Sequence, residues 1–270
     1  MLARPGLAAI VGVARGVIGM VHLPPLPGSP RWGGSMEGVI GAALRDAEAL
    51  ATGGVDALLV ENFGDAPFTG GRVGAETVAA MAAAAREVAH AARLPLGINV
   101  LRSDGVSALA VALAAGARFI RVNVHVGAVL TDQGIIQGGA HDLLRARRLL
   151  DADVKILADV QTKHAAPLAL VSIEQEARDC VERGLADALI VSGAATGSPT
   201  EPGDLKRVRD AVGGVPLLVG SGATAETAGE LLAVADGLIV GTAVKRDGLV
   251  SNPVDAARVR RLVEAARSGR

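Results

Sequence analysis

Short apolar runs recur along the chain with little alternation between apolar and polar positions. They fall near residues 17–22, 56–61, 95–100, 118–123, 154–159, 187–192, 215–220 and 237–241. A strand with one buried face alternates with period two, whereas a strand covered by helices on both faces reads as a nearly continuous apolar run. The pattern therefore predicts parallel strands enclosed by helices. Between the runs lie Ala-rich or amphipathic stretches of helical length, including 74–92, 140–151, 172–183 and 223–234, and Ser172 followed by Gln175 offers a capping box. One phrase repeats: GGVDALLVEN at 53–62, AGARFIRVNV at 115–124, RGLADALIVSG at 183–193 and AVADGLIVGT at 233–242. In each, a helix end built from small residues leads into an apolar run.

Strand-helix units of this kind, with no Pro/Gly-rich linker between halves, predict one domain over 1–270 of the α/β class, a closed (β/α)8 barrel. The alternative, an open doubly wound sheet, would carry G-x-G-x-x-G after its first strand. Here HLPPLPGSPRWGG follows that strand, and its prolines break the required helix start. The N-terminal MLARPGLAAIVGVARGVIGMV resembles a secretory leader only loosely, because Arg15 interrupts the apolar run, and it reads as a first helix entering the first strand.

Composition narrows the function. The chain is 50% hydrophobic yet has three Phe, one Trp and no Tyr, so its core is built from Ala, Val, Leu and Ile. Lys and Arg total 27 against 28 Asp and Glu, which leaves no basic excess for a phosphodiester backbone and argues against nucleic acid as a partner. The single cysteine, Cys180, reads as packing rather than as a nucleophile and fits a reducing cytoplasm. No apolar stretch reaches transmembrane length.

A barrel places its chemistry at the carboxyl ends of its strands. Those ends are polar here: His22, Glu61 with Asn62, Asn99, Asn123, Asp159 and Ser192. Each alone is accounted for by a cap or loop hydrogen bond, but their convergence on one rim defines a candidate site. His22, Glu61 and Asp159 with Asn123 form an acid/base set for proton transfer next to a carbonyl, and Asn62, Asn99, Arg121, Ser192 and Thr196 are candidate substrate contacts. The last two runs end in Gly220-Ser221-Gly222 and Gly241-Thr242, where close backbone approach and exposed N–H groups make a phosphate site. No cofactor is expected, although His22, Glu61 and Asp159 could also hold a divalent metal.

Arg121 shares its parity with Asn123 and, if it faces the interior, needs a carboxylate such as Glu61 or Asp159. Lys163 falls in the loop after the fifth strand, which argues against a Schiff-base mechanism. The glycine-flanked VGAVLTDQGIIQGG at 126–139 is a candidate mobile cover, and Trp32 either stacks on a ligand ring or packs. His125 and His164 follow rim residues closely, whereas His90 and His141 fall on helices.

GMVHLPPLPGSP at 19–30, VENFGDAPF at 60–68, NVLRSD at 99–104, RVNVHVGAVLTDQGIIQGGA at 121–140, LADVQTKHA at 157–165 and VSGAATGSPT at 191–200 resemble the BtpA/SgcQ family over nearly the whole chain. The resemblance implies a barrel of the ribulose-phosphate-binding type. It places His22, Glu61, Asn62, Asn99, Asn123 and Asp159 at matching strand ends and the two small-residue pairs at phosphate-binding ends. Cyanobacterial members are described as photosystem I biogenesis factors, and other members occur where no photosystem exists. The combined expectation is a cytoplasmic barrel that binds a small phosphorylated metabolite, a sugar phosphate or nucleotide-related compound, with isomerase- or lyase-like activity. The alternative is a non-catalytic assembly factor acting through a protein or membrane partner. Pairing into a homo-oligomer through an outer helix such as 76–92 is a further expectation.

Overall fold

The computed structural model describes residues 6–193 and 197–268. Eight parallel strands form the barrel: β1 (Gly16–His22), β2 (Ala57–Glu61), β3 (Leu96–Asn99), β4 (Phe119–Val122), β5 (Lys155–Val160), β6 (Ala188–Val191), β7 (Leu217–Val219) and β8 (Gly237–Val240). They pair in sequence order, and β8 closes on β1. Helix α1 (Leu7–Val11) precedes the barrel. Around it lie α2 (Met36–Gly53), α3 (Ala75–Ala92), α4 (Gly105–Ala115), α5 (Ala140–Leu149), α6 (Ile173–Arg178), α7 (Pro202–Val212), α8 (Ala228–Leu232) and α9 (Ala256–Ser268). Among the described residues no helix is long and apolar enough to cross a membrane.

Strand parity divides the core in two. Outward residues such as Val17, Leu58, Ile98, Ile156, Leu189, Val219 and Leu238 pack under the helices in the larger cluster. Inward residues Ile18, Met20, Leu59, Phe119, Leu157, Ile190, Leu218 and Ile239 fill the barrel. Phe119 takes the centre because β3 offers Gly97 beside it, where a Cβ would overlap the ring. Leu7, Ile10 and Val11 of α1 join this interior cluster and stop the amino-terminal end of the barrel. The N-terminal segment is thus a plug rather than a simple lead into β1.

Local chemistry sets the helix ends. Ser35 caps α2 by accepting from the Gly38 N–H, Asp104 caps α4 by accepting from Ser107, and left-handed Gly54 and Gly116 terminate the two helices. The expected capping box at Ser172 is half made: its hydroxyl accepts the Gln175 N–H, but the Gln175 amide turns to Asp179. The expected helix over 172–183 is α-helical only to Arg178 and finishes as a π turn over Asp179–Arg183, with Cys180 fully buried in it. The helix expected over 223–234 shortens to α8, because the Thr227 hydroxyl captures the Thr224 N–H and holds a turn there.

The segment after β4 expected to cover the rim forms a hairpin of Ala128–Thr131 and Gly134–Gln137. Ala165–Pro167 extends it into a three-stranded antiparallel sheet. Val129 and Ile136 turn inward, and Leu130 and Ile135 stay exposed on the other face.

Candidate functional site

A cavity of about 570 Å³ opens at the carboxyl ends of the strands. Its wall includes His22, Glu61, Arg121 and Asn123 from strand ends, Gly220 to Thr224 after β7, and Gly241 with Thr242 after β8. Phe63, Phe68, Arg102, Asp132, Gln133, Lys163 and His164 complete it from the loops, with the hairpin tip at Asp132-Gln133 forming part of its roof.

Register explains why these side chains meet. His22 pairs with Glu61, Glu61 with Asn99 and Asn99 with Arg121 across β1 to β4, so all share the inward parity one layer above the apolar plug. His22 Nε2 lies 3.7 Å from Glu61 Oε1, and the imidazole ring stacks at 4.6 Å on Phe63. Burial and the neighbouring cations Lys245, Lys163 and Arg121 push the His22 pKa down to about 3, so the ring is neutral near pH 7. Burial raises the Glu61 carboxyl above its ordinary range against the pull of Arg121 and Lys163. Burial and the Arg121 charge lower Lys163 to about 8.

Arg121 faces the interior and makes a bidentate pair with Asp159, Nε and Nη2 each 3.0 Å from a carboxylate oxygen. Burial opposes the guanidinium charge, and the carboxylate more than offsets it, so the Arg121 pKa rises. Asn123 Nδ2 donates to Asp159 at 2.8 Å, and Asn99 Nδ2 donates to Asn123 Oδ1 at 3.1 Å. This network aims Arg121 and Asn123 at the cavity from behind.

Four expected contacts therefore hold other positions. Asp159 is consumed as the Arg121 counter-ion and is not part of the cavity wall, because an unpaired guanidinium at that depth would be far costlier. Asn99 is fully buried and orients Asn123. Asn62 accepts the Leu101 N–H and donates to Asp65, tying two rim loops together below the wall. Ser192 lines a neighbouring cavity of about 470 Å³. Thr196 lies outside the described residues. With Asp159 committed to Arg121, His22 and Glu61 have no third donor, and among the described residues no group of three or more His, Cys, Asp or Glu is placed to hold a metal.

The two small-residue ends sit side by side. Gly222 has φ +73°, and a Cβ there would overlap the Ser198 carbonyl oxygen and Pro199. A Cβ on Gly220 would overlap Ser192 Oγ and come within 3.2 Å of Arg121 Nη2, while one on Gly241 would reach His22 Cε1 at 3.1 Å. Ser221 works as a latch: its hydroxyl accepts the Gly193 N–H and donates to the Ser198 carbonyl, and its own carbonyl accepts from Thr200. The N–H groups of Ser221, Gly222, Ala223, Thr242 and Ala243 find no acceptor among the described residues. Two clusters of free donors thus flank one wall of the cavity.

Sequence reasoning missed Arg102, Phe63, Phe68, Asp132 and Gln133, which come from loops whose direction no strand parity specifies. It placed Lys163 outside the chemistry. The β5 loop turns that residue inward through left-handed backbone at Gln161 (φ 49°) and His164 (φ 55°), and Arg102 Nη2 donates to the Lys163 carbonyl. Of the other histidines, His125 bonds the Gly184 carbonyl at 2.7 Å, His141 is exposed beside Asp142 and His90 is exposed late in α3. Trp32 packs on the core.

Fold and rim together define a (β/α)8 barrel with a polar cavity at the end where such barrels work. The family model for the BtpA family matches residues 13–268, and the chain belongs to that family. The photosystem I biogenesis protein BtpA of Synechocystis is 49% identical over 94% of this chain and 88% of its own. The Escherichia coli protein SgcQ is 36% identical over 96% of both chains. Among solved structures, thiamine phosphate pyrophosphorylase from Pyrococcus furiosus superposes with a TM-score of 0.59 at 15% identity, covering 98% of this chain and 99% of that one. N-(5'-phosphoribosyl)anthranilate isomerase from the same organism gives 0.57 at 15% identity, covering 94% and 99%. At that identity the likeness concerns the fold.

Proposed function

We propose that the cavity binds a small phosphorylated metabolite, a sugar phosphate or nucleotide-related compound, and catalyses an isomerase- or lyase-like step on it. The observation that carries this reading is the pair of N–H clusters after β7 and β8 with no acceptor among the described residues, side by side on one wall of a cavity that also holds His22, Glu61 and Arg121. Convergent backbone donors favour an anion without contributing a charge of their own. His22, neutral near pH 7, and Glu61, whose carboxyl burial raises above its ordinary range, are the groups placed to move a proton, with Asn123 and Arg121 available to polarise an oxygen. The single buried cysteine agrees with a cytoplasmic setting.

The test is thermal unfolding against phosphorylated sugars, nucleotides and inorganic phosphate, with Thr242→Glu as the comparison. A ligand at a hundredfold excess over its Kd stabilises by about 2.7 kcal/mol, roughly 5–10 °C for a domain of this size. The variant puts a carboxylate where the phosphate sits and abolishes the shift. Shifts of equal size in both proteins refute the assignment.

A second reading rests on separate observations. The Synechocystis relative is named for photosystem I biogenesis, and the hairpin sheet exposes Leu130 and Ile135, with Leu168 and Leu170 exposed just after its third strand. A chain that no phosphorylated compound stabilises, but that loses a partner when Leu130 and Ile135 become Ser, acts as an assembly factor through that face.

A further inference from the structure

Lysine is scarce in this protein. The sequence holds four lysines, Lys155, Lys163, Lys206 and Lys245, and every other strong cation is Arg. Three of the four are ion-paired: Lys155 to Asp153, Lys206 to Asp210 and Lys245 to Asp46. Lys163 makes no ion pair among the described residues and lines both the main cavity and its neighbour. Its loop is held open toward the cavity by the left-handed residues Gln161 and His164, by the Arg102 bond to its carbonyl and by the Gln161 N–H donating to Glu176. Left-handed conformations at non-glycine residues cost roughly 1 kcal/mol or more each and persist where the surroundings enforce them. A backbone enforced in this way to present one amine calls for a role that Arg cannot fill.

We propose that Lys163 is a nucleophile that forms an imine with the carbonyl carbon of the bound substrate. This rests on the reading of the cavity as a metabolite site and narrows its substrate to a phosphorylated aldehyde or ketone. The neutral Nζ attacks the carbonyl carbon, and the C=O π pair moves to oxygen, which takes up a proton. The carbinolamine loses that oxygen as water to leave a protonated imine, and hydrolysis reverses the sequence. No oxidant, reductant or cofactor enters. The iminium withdraws electrons from the adjacent carbon, so a proton or carbon fragment can leave there, with Glu61 and His22 on the same wall to move the proton. Burial, together with Arg121 and Arg102, keeps the amine partly neutral near pH 7, whereas an exposed lysine is almost wholly protonated.

Reductive trapping tests this on the full chain. The protein is incubated at pH 7 with cyanoborohydride and either glycolaldehyde phosphate or glycolaldehyde, and adducts are located by peptide mass spectrometry, with exposed Lys206 as the internal reference. The expected result is an adduct at Lys163, of the mass of the carbonyl compound less one oxygen atom. It forms at least tenfold faster than at Lys206 with the phosphorylated probe. Lys163→Arg keeps the charge but offers no amine, so the fast adduct vanishes with it; fast labelling that persists in this variant lies on another group and overturns the proposal. Lys163 labelled no faster than Lys206 by either probe overturns the proposal; phosphorylated compounds that still raise the unfolding midpoint would then leave the phosphate reading standing. Equal fast labelling by both probes, unaffected by Thr242→Glu, keeps the lysine and removes the phosphate site.

Discussion

Replacing Asp159 by Asn leaves Arg121 buried without its hydrogen-bonded counter-ion. The guanidinium is 3% exposed and meets the carboxylate through two 3.0 Å bonds. Two unit charges about 4 Å apart attract by ~4 kcal/mol at an effective dielectric constant of about 20. Breaking a buried pair by removing one partner costs about 3–5 kcal/mol. Asp159→Asn also weakens the acceptor for Asn123, so a loss of about 4 kcal/mol is expected, a midpoint drop on the order of 8–16 °C. The partner variants are Arg121→Met and the double change Arg121→Met/Asp159→Asn. The double variant removes both charges, leaves an amide oxygen to accept from Asn123 and the Thr162 hydroxyl, and should fall within about 2 kcal/mol of the natural protein. Urea unfolding of all four proteins then gives a coupling energy of at least about 2 kcal/mol. A cost below about 1 kcal/mol for Asp159→Asn, or a cycle that adds up without coupling, refutes Asp159 as counter-ion and returns it to the candidate catalytic residues.

Ile10 of α1 is fully buried in the barrel interior, so Ile10→Ala should cost about 2–5 kcal/mol in urea unfolding, and a cost under about 0.5 kcal/mol means that α1 does not plug the barrel. His22 takes up a proton near pH 6.5 when unfolded but only near pH 3 when folded. Its contribution is present above pH 6.5 and is lost as the pH falls toward 3, up to about 4–5 kcal/mol in all. His22→Asn flattens that part of the stability profile, and an NMR titration showing the ring protonating near pH 6.5 in the folded protein removes the assignment.

Much of the barrel was legible in the chain. The apolar runs lie on both faces of buried strands, so their two-sided burial is written as missing alternation, and each observed strand begins within two residues of its expected start. Parity placed Arg121 inward and named Asp159 as one of its partners. Small-residue endings identified the β7 and β8 rim: a Cβ at Gly222 would overlap the Ser198–Pro199 backbone, and one at Gly220 would overlap the Ser192 and Ile190 side chains. Strand alternation and parity are local signals, fixed within a few residues.

What each rim side chain does was decided by tertiary structure. Asp159 and Glu61 look alike in sequence, yet the register puts one against a guanidinium and leaves the other facing the cavity. Asn62 and Asn123 each follow an apolar run. One closes loops and the other lines the site, because the turn after β2 rotates the first away while β4 continues inward to the second. Lys163, Arg102 and the hairpin tip reach the cavity from loops, where no periodicity sets direction and long-range contacts do. The sequence by itself determined a barrel and the end that carries its polar rim; charge pairing and loop packing, which join residues 38 or more positions apart, determined which groups line the cavity there.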